Sequence, residues 1–176
     1  PYTKRKIVCF ASIHLAEYDK VLKIIKGLKL NEIHEVVIIP RHIQYFENLN
    51  EKVKSENLKK ITIHNKFGDS MSIFERSKIV FMGGSLIEHG GQNPLEPLSH
   101  GCFVLSGSFN NNFEEIYLDL EKLNLCKTMN SDNLDSISNE INNLVKVDFH
   151  NSTKIENFIS TNRNSLKNII GMIEKC

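Results

Sequence analysis

Short, almost wholly apolar runs alternate along this chain with longer segments whose apolar residues recur at helical spacing, and that alternation limits the fold more than any other feature. The apolar runs cover 6–11, 34–39, 60–63, 79–82, 103–105 and 125–129. Runs this short, bounded by Gly, Pro, Asn or Asp and rich in Val, Ile and Phe, read as strands covered on both faces. Between them, 15–28 places Val21, Leu22, Ile24, Ile25 and Leu28 on one helical stripe. The same period marks 113–123, through Phe113, Ile116, Tyr117 and Leu120, and 134–145. It returns over 153–174, through Ile155, Phe158, Ile159, Leu166, Ile169, Ile170 and Ile173. Weaker helices are expected over 45–58, 71–77 and 94–100. Strand and helix in strict alternation predict an α/β fold: an open parallel sheet of about six strands with helices on both faces. In such sheets ligands bind beyond the carboxyl ends of the strands.

The chain has 176 residues, enough for one domain with its own core. A formal net charge of +1 gives no footprint for nucleic-acid binding. No apolar run approaches the roughly 18 residues of a membrane span. Cys9, Cys102 and Cys126 lie in or beside apolar runs and none of the four cysteines forms a close pair, which favours reduced, buried thiols. No Cys/His spacing suits a metal, and no cofactor motif stands out. The first residues, 1–6, carry neither an initiator Met nor a signal-peptide pattern, so the expectation is a piece of a longer protein.

The residues that carry chemistry gather after the strands. The densest group is 83–97: Gly83, Gly84 and Ser85, then Gly90 and Gly91, then Asn93, Pro94, Leu95 and Glu96. Two Gly pairs let a ligand approach the backbone. Asn93 suits a helix N-cap, Pro94 the first helical position, and Glu96 the place of a capping-box acid. Free amides there, with the helix dipole, suit a phosphate. Pro40, Arg41 and His42 close the second run, where the guanidinium fork matches an anionic group. Ser12 and His14 follow the first run, with Ser12 read as a helix cap. Gly68, Asp69, Ser70, Met71 and Ser72 form a loop-to-helix entry after the third. A polar loop, 106–115, containing Asn112, follows the fifth. A plain turn or helix cap is an alternative at each position taken alone; all five share one edge of the expected sheet, which points to a ligand site. His14, His42 and His89 lie at that edge.

These segments resemble the signature regions of the 3-deoxy-D-manno-octulosonate (Kdo) transferases. That family's pattern is similar to GGS-L-x-x-x-GG-x-NPLEP, met here over 83–97, followed by a loop with Asn-Phe, met by Asn112 and Phe113. Pro40-Arg41-His42 looks like the family's PRH. Residues 11–18 resemble its A-S-T-H-x-G-E-E, with Ile13, Ala16 and Tyr18 as departures. Asp69-Ser70-Met71 resembles its D-T-M, with Ser72 and Ile73 in place of Gly and Glu.

The resemblance implies the Rossmann-like C-terminal half of a two-domain, GT-B-type glycosyltransferase. It implies CMP-Kdo as donor, CMP as product and a lipid A precursor as acceptor, in lipopolysaccharide biosynthesis. The catalytic base, most of the acceptor surface and the membrane association are then expected in an N-terminal domain outside this chain. The full-length enzyme would work at the cytoplasmic face of the bacterial inner membrane, and this domain alone would be inactive. Arg41 and the helix after Asn93 would bind the phosphate, Glu96 the ribose hydroxyls, and Ser12 and His14 would face the sugar. Two alternatives remain from the residues themselves: a UDP-sugar epimerase-like domain of the same architecture, or a non-catalytic nucleotide-binding module.

Overall fold

The computed structural model describes residues 6–66, 68–149 and 152–161. Six strands form one sheet in the order β3-β2-β1-β4-β5-β6. They are β1 (Ile7–Ile13), β2 (Glu35–Pro40), β3 (Ile61–Ile63), β4 (Ser77–Met82), β5 (Phe103–Ser106) and β6 (Cys126–Thr128). Every neighbouring pair is parallel. The helices are α1 (Tyr18–Lys26), α2 (Phe46–Ser55), α3 (Ser70–Arg76), α4 (Leu95–Ser99), α5 (Glu114–Lys122), α6 (Leu134–Leu144) and α7 (Ser152–Thr161). The expected α/β sheet with covered faces is therefore the observed one. The remainder of the helix expected over 153–174 lies outside the described residues, as does Cys176.

Alternation along the strands splits the core in two. Val8, Phe10, Ile38, Ile79, Phe81 and Leu105 point to one face, where they pack under α1, α2 and α6. Cys9, Ala11, Val37, Val80, Met82 and Val104 point to the other, under α3, α4, α5 and α7. Both stripes are fully or nearly fully buried, which is why the strands read as unbroken apolar runs rather than as alternating ones. Cys9, Cys102 and Cys126 are free and buried in the second layer. Burial pushes the Cys126 thiol up to about 12.

The chain runs outward from β1 to β3, then returns to place β4 on the other side of β1. The strand order thus reverses between β1 and β4, and the loops leaving these strands diverge to opposite faces there. Three helices begin later than expected because a 3-10 turn comes first, at Leu15–Glu17, Ile43–Tyr45 and Asn111–Phe113. Among the described residues no helix is long and apolar enough to cross a membrane.

Candidate functional site

All five sequence-marked segments leave carboxyl ends of strands, and the crevice between β1 and β4 gathers most of them. The two strands end very close together. A Cβ on Gly83 would stand 2.3 Å from the Ser12 carbonyl oxygen, so only Gly fits. Ser12 itself has φ +56 within β1, where the register with β2 shifts between Ala11 and Ile13. This corrects its expected role. Ser12 is a bulge residue in the strand and caps no helix; the extra residue re-aims the chain so that Ile13 pairs with Pro40 and His14 leaves over the crevice.

The bulge, Pro40 and the Gly loop bring four cation-forming side chains together. The His14 ring lies 4.0 Å from the His89 ring and 5.8 Å, edge-on, from that of His42. Arg41 follows Pro40, the buried last residue of β2, and its backbone N–H is anchored on the Ile13 carbonyl at 2.8 Å. Its side chain and that of His42 are exposed. Gly84 forms the floor under the rings: at φ +67, a Cβ there would sit 3.5 Å from His14 Nε2 and 3.5 Å from His89. His14 Nε2 is buried without a hydrogen-bond partner. Partial desolvation, then the neighbouring His89, His42 and Arg41, lower the His14 pKa to about 4. All three named neighbours push the same way, the signature of a site that collects positive charge. Among the described residues, Arg41, His42 and His89 have no carboxylate partner.

The Gly loop is braced by hydrogen bonds at several points. Gly91 N–H donates to the Gly84 carbonyl at 2.8 Å, and Tyr117 Oη donates to the Gln92 carbonyl at 3.2 Å. Ser85 is fully buried; its hydroxyl accepts from Gly107 N–H at 2.8 Å and also bonds the Met82 carbonyl, so it supports the loop from below. Asn112 braces the far end, with its backbone N–H on Gly90 O at 3.0 Å and its side-chain amide toward His89 O at 3.5 Å.

The loop then enters α4. Asn93 Oδ1 accepts from Leu95 N–H at 3.0 Å and Pro94 already has helical φ and ψ, so Asn93 caps as expected. Glu96 does not close a capping box. Its Oε1 accepts instead from Ser70 Oγ, at 3.2 Å, across to α3. The exposed Glu96 carboxylate is thereby held at the edge rather than folded back on its own helix. The phosphate role expected of this helix is weaker than its sequence suggests: α4 has five residues and one early amide is taken by Asn93, so little dipole remains to offer. On the same side Ser72 Oγ is turned to the Asp69 carbonyl, while the Met71 side chain is 54% exposed.

One residue that joins the two sides of the crevice was missed by sequence reasoning. Glu17, read only as part of a motif, is fully buried and accepts from backbone N–H groups of both the β1 and β4 loops. Its partners lie up to 69 residues away in the chain, so no local spacing announces them. Among the described residues no group of three or more His, Cys, Asp or Glu side chains is placed to hold a metal ion.

No family model matches the chain. Over 128 residues it is 30% identical to the 3-deoxy-D-manno-octulosonic acid transferase of Haemophilus influenzae, an overlap of 64% of this chain and 30% of that protein. Over 129 residues it is 27% identical to the enzyme of the same name from Aquifex aeolicus, covering 68% of this chain and 36% of the relative. The chain thus spans about a third of the length of these curated relatives. The C-terminal CMP-Kdo binding domain of WaaA from Acinetobacter baumannii has the same fold, with a TM-score of 0.69 at 21% identity over 94% of this chain and 91% of that one. In sequence the chain is similar to Kdo transferases over about two thirds of its length, and in fold it is similar to the C-terminal CMP-Kdo binding domain of one of them.

Proposed function

We propose that this chain is the donor-binding domain of an inverting Kdo glycosyltransferase that takes CMP-Kdo and passes Kdo to a lipid A precursor. The observation that carries the reading is the cluster of Arg41, His14, His42 and His89 over Gly84 at the strand-order reversal. CMP-Kdo presents a phosphodiester and a sugar carboxylate, two anions that such a cluster suits. Arg41 offers a fork of donors to the phosphate. His14 is neutral near pH 7, and an anion beside it favours its protonation. As the glycosidic bond breaks, negative charge grows on the departing CMP phosphate, and the Arg41 guanidinium already in place stabilises it. Glu96, held out by Ser70, is the acceptor assigned to the ribose hydroxyls. The remaining sequence-marked residues, Gly83 to Ser85, Gly90, Gly91 and Asn112, shape the wall.

The catalytic base and most of the acceptor site belong, in this reading, to an N-terminal domain outside the chain, which also carries the membrane association at the cytoplasmic face of the inner membrane. The chain by itself therefore binds donor and does not transfer it. Calorimetric titration with CMP, UMP and UDP tests the assignment. A clear CMP preference is expected. Preference for the uridine nucleotides would transfer the chain to the epimerase-like class, and no binding of any of the three would end the nucleotide reading.

A further inference from the structure

The connection into α1 and that helix's first turn carry two side chains to which the donor reading gives no task. Glu17 has 0% exposure. Its Oε2 accepts from His14 N–H at 2.9 Å and Gly84 N–H at 2.7 Å. Its Oε1 accepts from Ser85 N–H at 3.2 Å and Leu86 N–H at 3.0 Å. Three residues on, Lys20 Nζ donates to the Leu86 carbonyl at 2.7 Å. A carboxylate stripped of water survives only where donors replace the water, and here backbone amides do so on both oxygens. Successive N–H groups of this kind usually form a concavity for an external anion. In this chain the Gly84–Leu86 amides are already filled from within. The ligand's phosphate is thus left to the outer face of the loop, where the rings and Arg41 stand.

The bonds also cross the crevice. One carboxylate grips the His14 backbone from the β1 side and three loop residues from the β4 side. His14 and His89, whose rings are 4.0 Å apart, ride on those two segments. Burial first, then His89, His42 and Arg41, lower the His14 pKa, while both oxygens of Glu17 are taken up by backbone amides.

We propose that Glu17 is a positioning residue of the anion site: it clamps the β1 and β4 loops so that His14 and His89 face the ligand together, with Lys20 closing the clamp on the carbonyl side. The clamp rests on the donor reading only for which anion binds.

The test uses Glu17→Gln and Lys20→Met in the whole chain. Gln keeps the shape but has one acceptor oxygen, and its NH2 group meets N–H donors. Imidazole titration by NMR is read alongside calorimetry with CMP and with cytidine. The account expects His14 of Glu17→Gln to titrate well above the value of about 4 assigned to the unaltered chain, as its ring leaves the cluster. CMP affinity should fall about tenfold or more, the scale of losing bonds to a charged group, with cytidine affinity little changed. Lys20→Met should move both readouts the same way by less. If Glu17→Gln keeps the His14 titration and loses CMP and cytidine equally, Glu17 only stabilises the fold and the proposal is overturned. Should Glu17→Gln not fold, Lys20→Met decides: an unchanged His14 titration together with unchanged CMP affinity overturns it. If the unaltered chain binds no CMP, the donor reading fails, while the histidine titration still decides the clamp.

Discussion

At the amino ends of the strands, Lys60, Lys78, Lys127 and Lys146 meet oxygens of the chain itself; at the carboxyl ends, Arg41, His42 and His89 meet no carboxylate among the described residues. Lys78, 7% exposed at the start of β4, donates to the Val145 carbonyl at 2.7 Å and lies 3.9 Å from Asp148. Lys146 meets Glu32 at 3.4 Å, Lys127 meets Glu140 at 2.9 Å, and Lys60 donates to the Leu30 and Ile33 carbonyls. Across the sheet, Arg41, His14, His42 and His89 crowd together, and the carboxylate beside them, Glu17, is turned onto amides. The amino-edge lysines have the chain's own oxygens beside them, whereas the carboxyl edge leaves the Arg41 guanidinium without a carboxylate among the described residues, open to an anion under the proposed function. Under the proposed function, structure and function are divided between the two ends of the same strands.

The largest expected effect comes from closing the crevice. Gly83→Ala drives a Cβ against the Ser12 carbonyl, a backbone atom that cannot rotate away. Overpacking of this kind costs about 1–3 kcal/mol, and a thermal melt should show it whether or not ligand is present. A melt unchanged from that of the unaltered chain would mean that β1 and β4 are not held as close as described. Next, Arg41→Ala should cost CMP about 1.5–3 kcal/mol, the worth of a charge-assisted hydrogen bond, and should spare cytidine. Equal losses for both ligands would place Arg41 away from the phosphate. At the other edge, Lys78→Met leaves the Val145 carbonyl unpaired and should lower stability by about 1–2 kcal/mol, with CMP affinity untouched. A loss of CMP binding in that variant would break the comparison.

Protons sharpen it further. The His14 pKa lies near 4 in the folded chain, below the ordinary imidazole value of 6.5. Between those two values the unfolded chain binds a proton that the folded chain refuses. The His14 contribution to stability is therefore whole above about pH 6.5 and is lost as pH falls toward 4. His14→Asn should flatten that part of the stability profile, and an unaltered slope would show that His14 does not titrate low. The smallest effect is expected at Glu96. Glu96→Gln should leave the melt nearly unchanged, since Glu96 caps nothing, and weaken CMP modestly, with 2′-deoxy-CMP already poor against the unaltered chain. Equal binding of CMP and 2′-deoxy-CMP by both proteins would remove the ribose assignment.

The sheet was legible because its strands are covered on both faces, which leaves unbroken apolar runs that no surface segment would carry. The ligand edge was legible because Gly, Pro, Arg and His recur after strand upon strand. What escaped was tertiary. Ser12 reads as a cap because Ser before an amphipathic run usually is one, yet a bulge against Pro40 claims it for β1. Glu96 three residues after Asn93 reads as a capping box, yet Ser70 on a neighbouring helix takes its carboxylate. Glu17 stands in a motif like any helix-start acid, and only the fold brings Gly84, Ser85 and Leu86 to it. In each case a partner distant in sequence displaced the local one.

Chemical-shift mapping of the chain with CMP reads out at which end of the strands the anion lands. Saturable shifts are expected at the His14, His42 and His89 imidazoles and at the amides of 41–42 and 89–91, with Lys78 and Lys146 unmoved. Shifts centred on Lys78, Lys146 and their neighbours, with the three imidazoles silent, would contradict the proposed anion site.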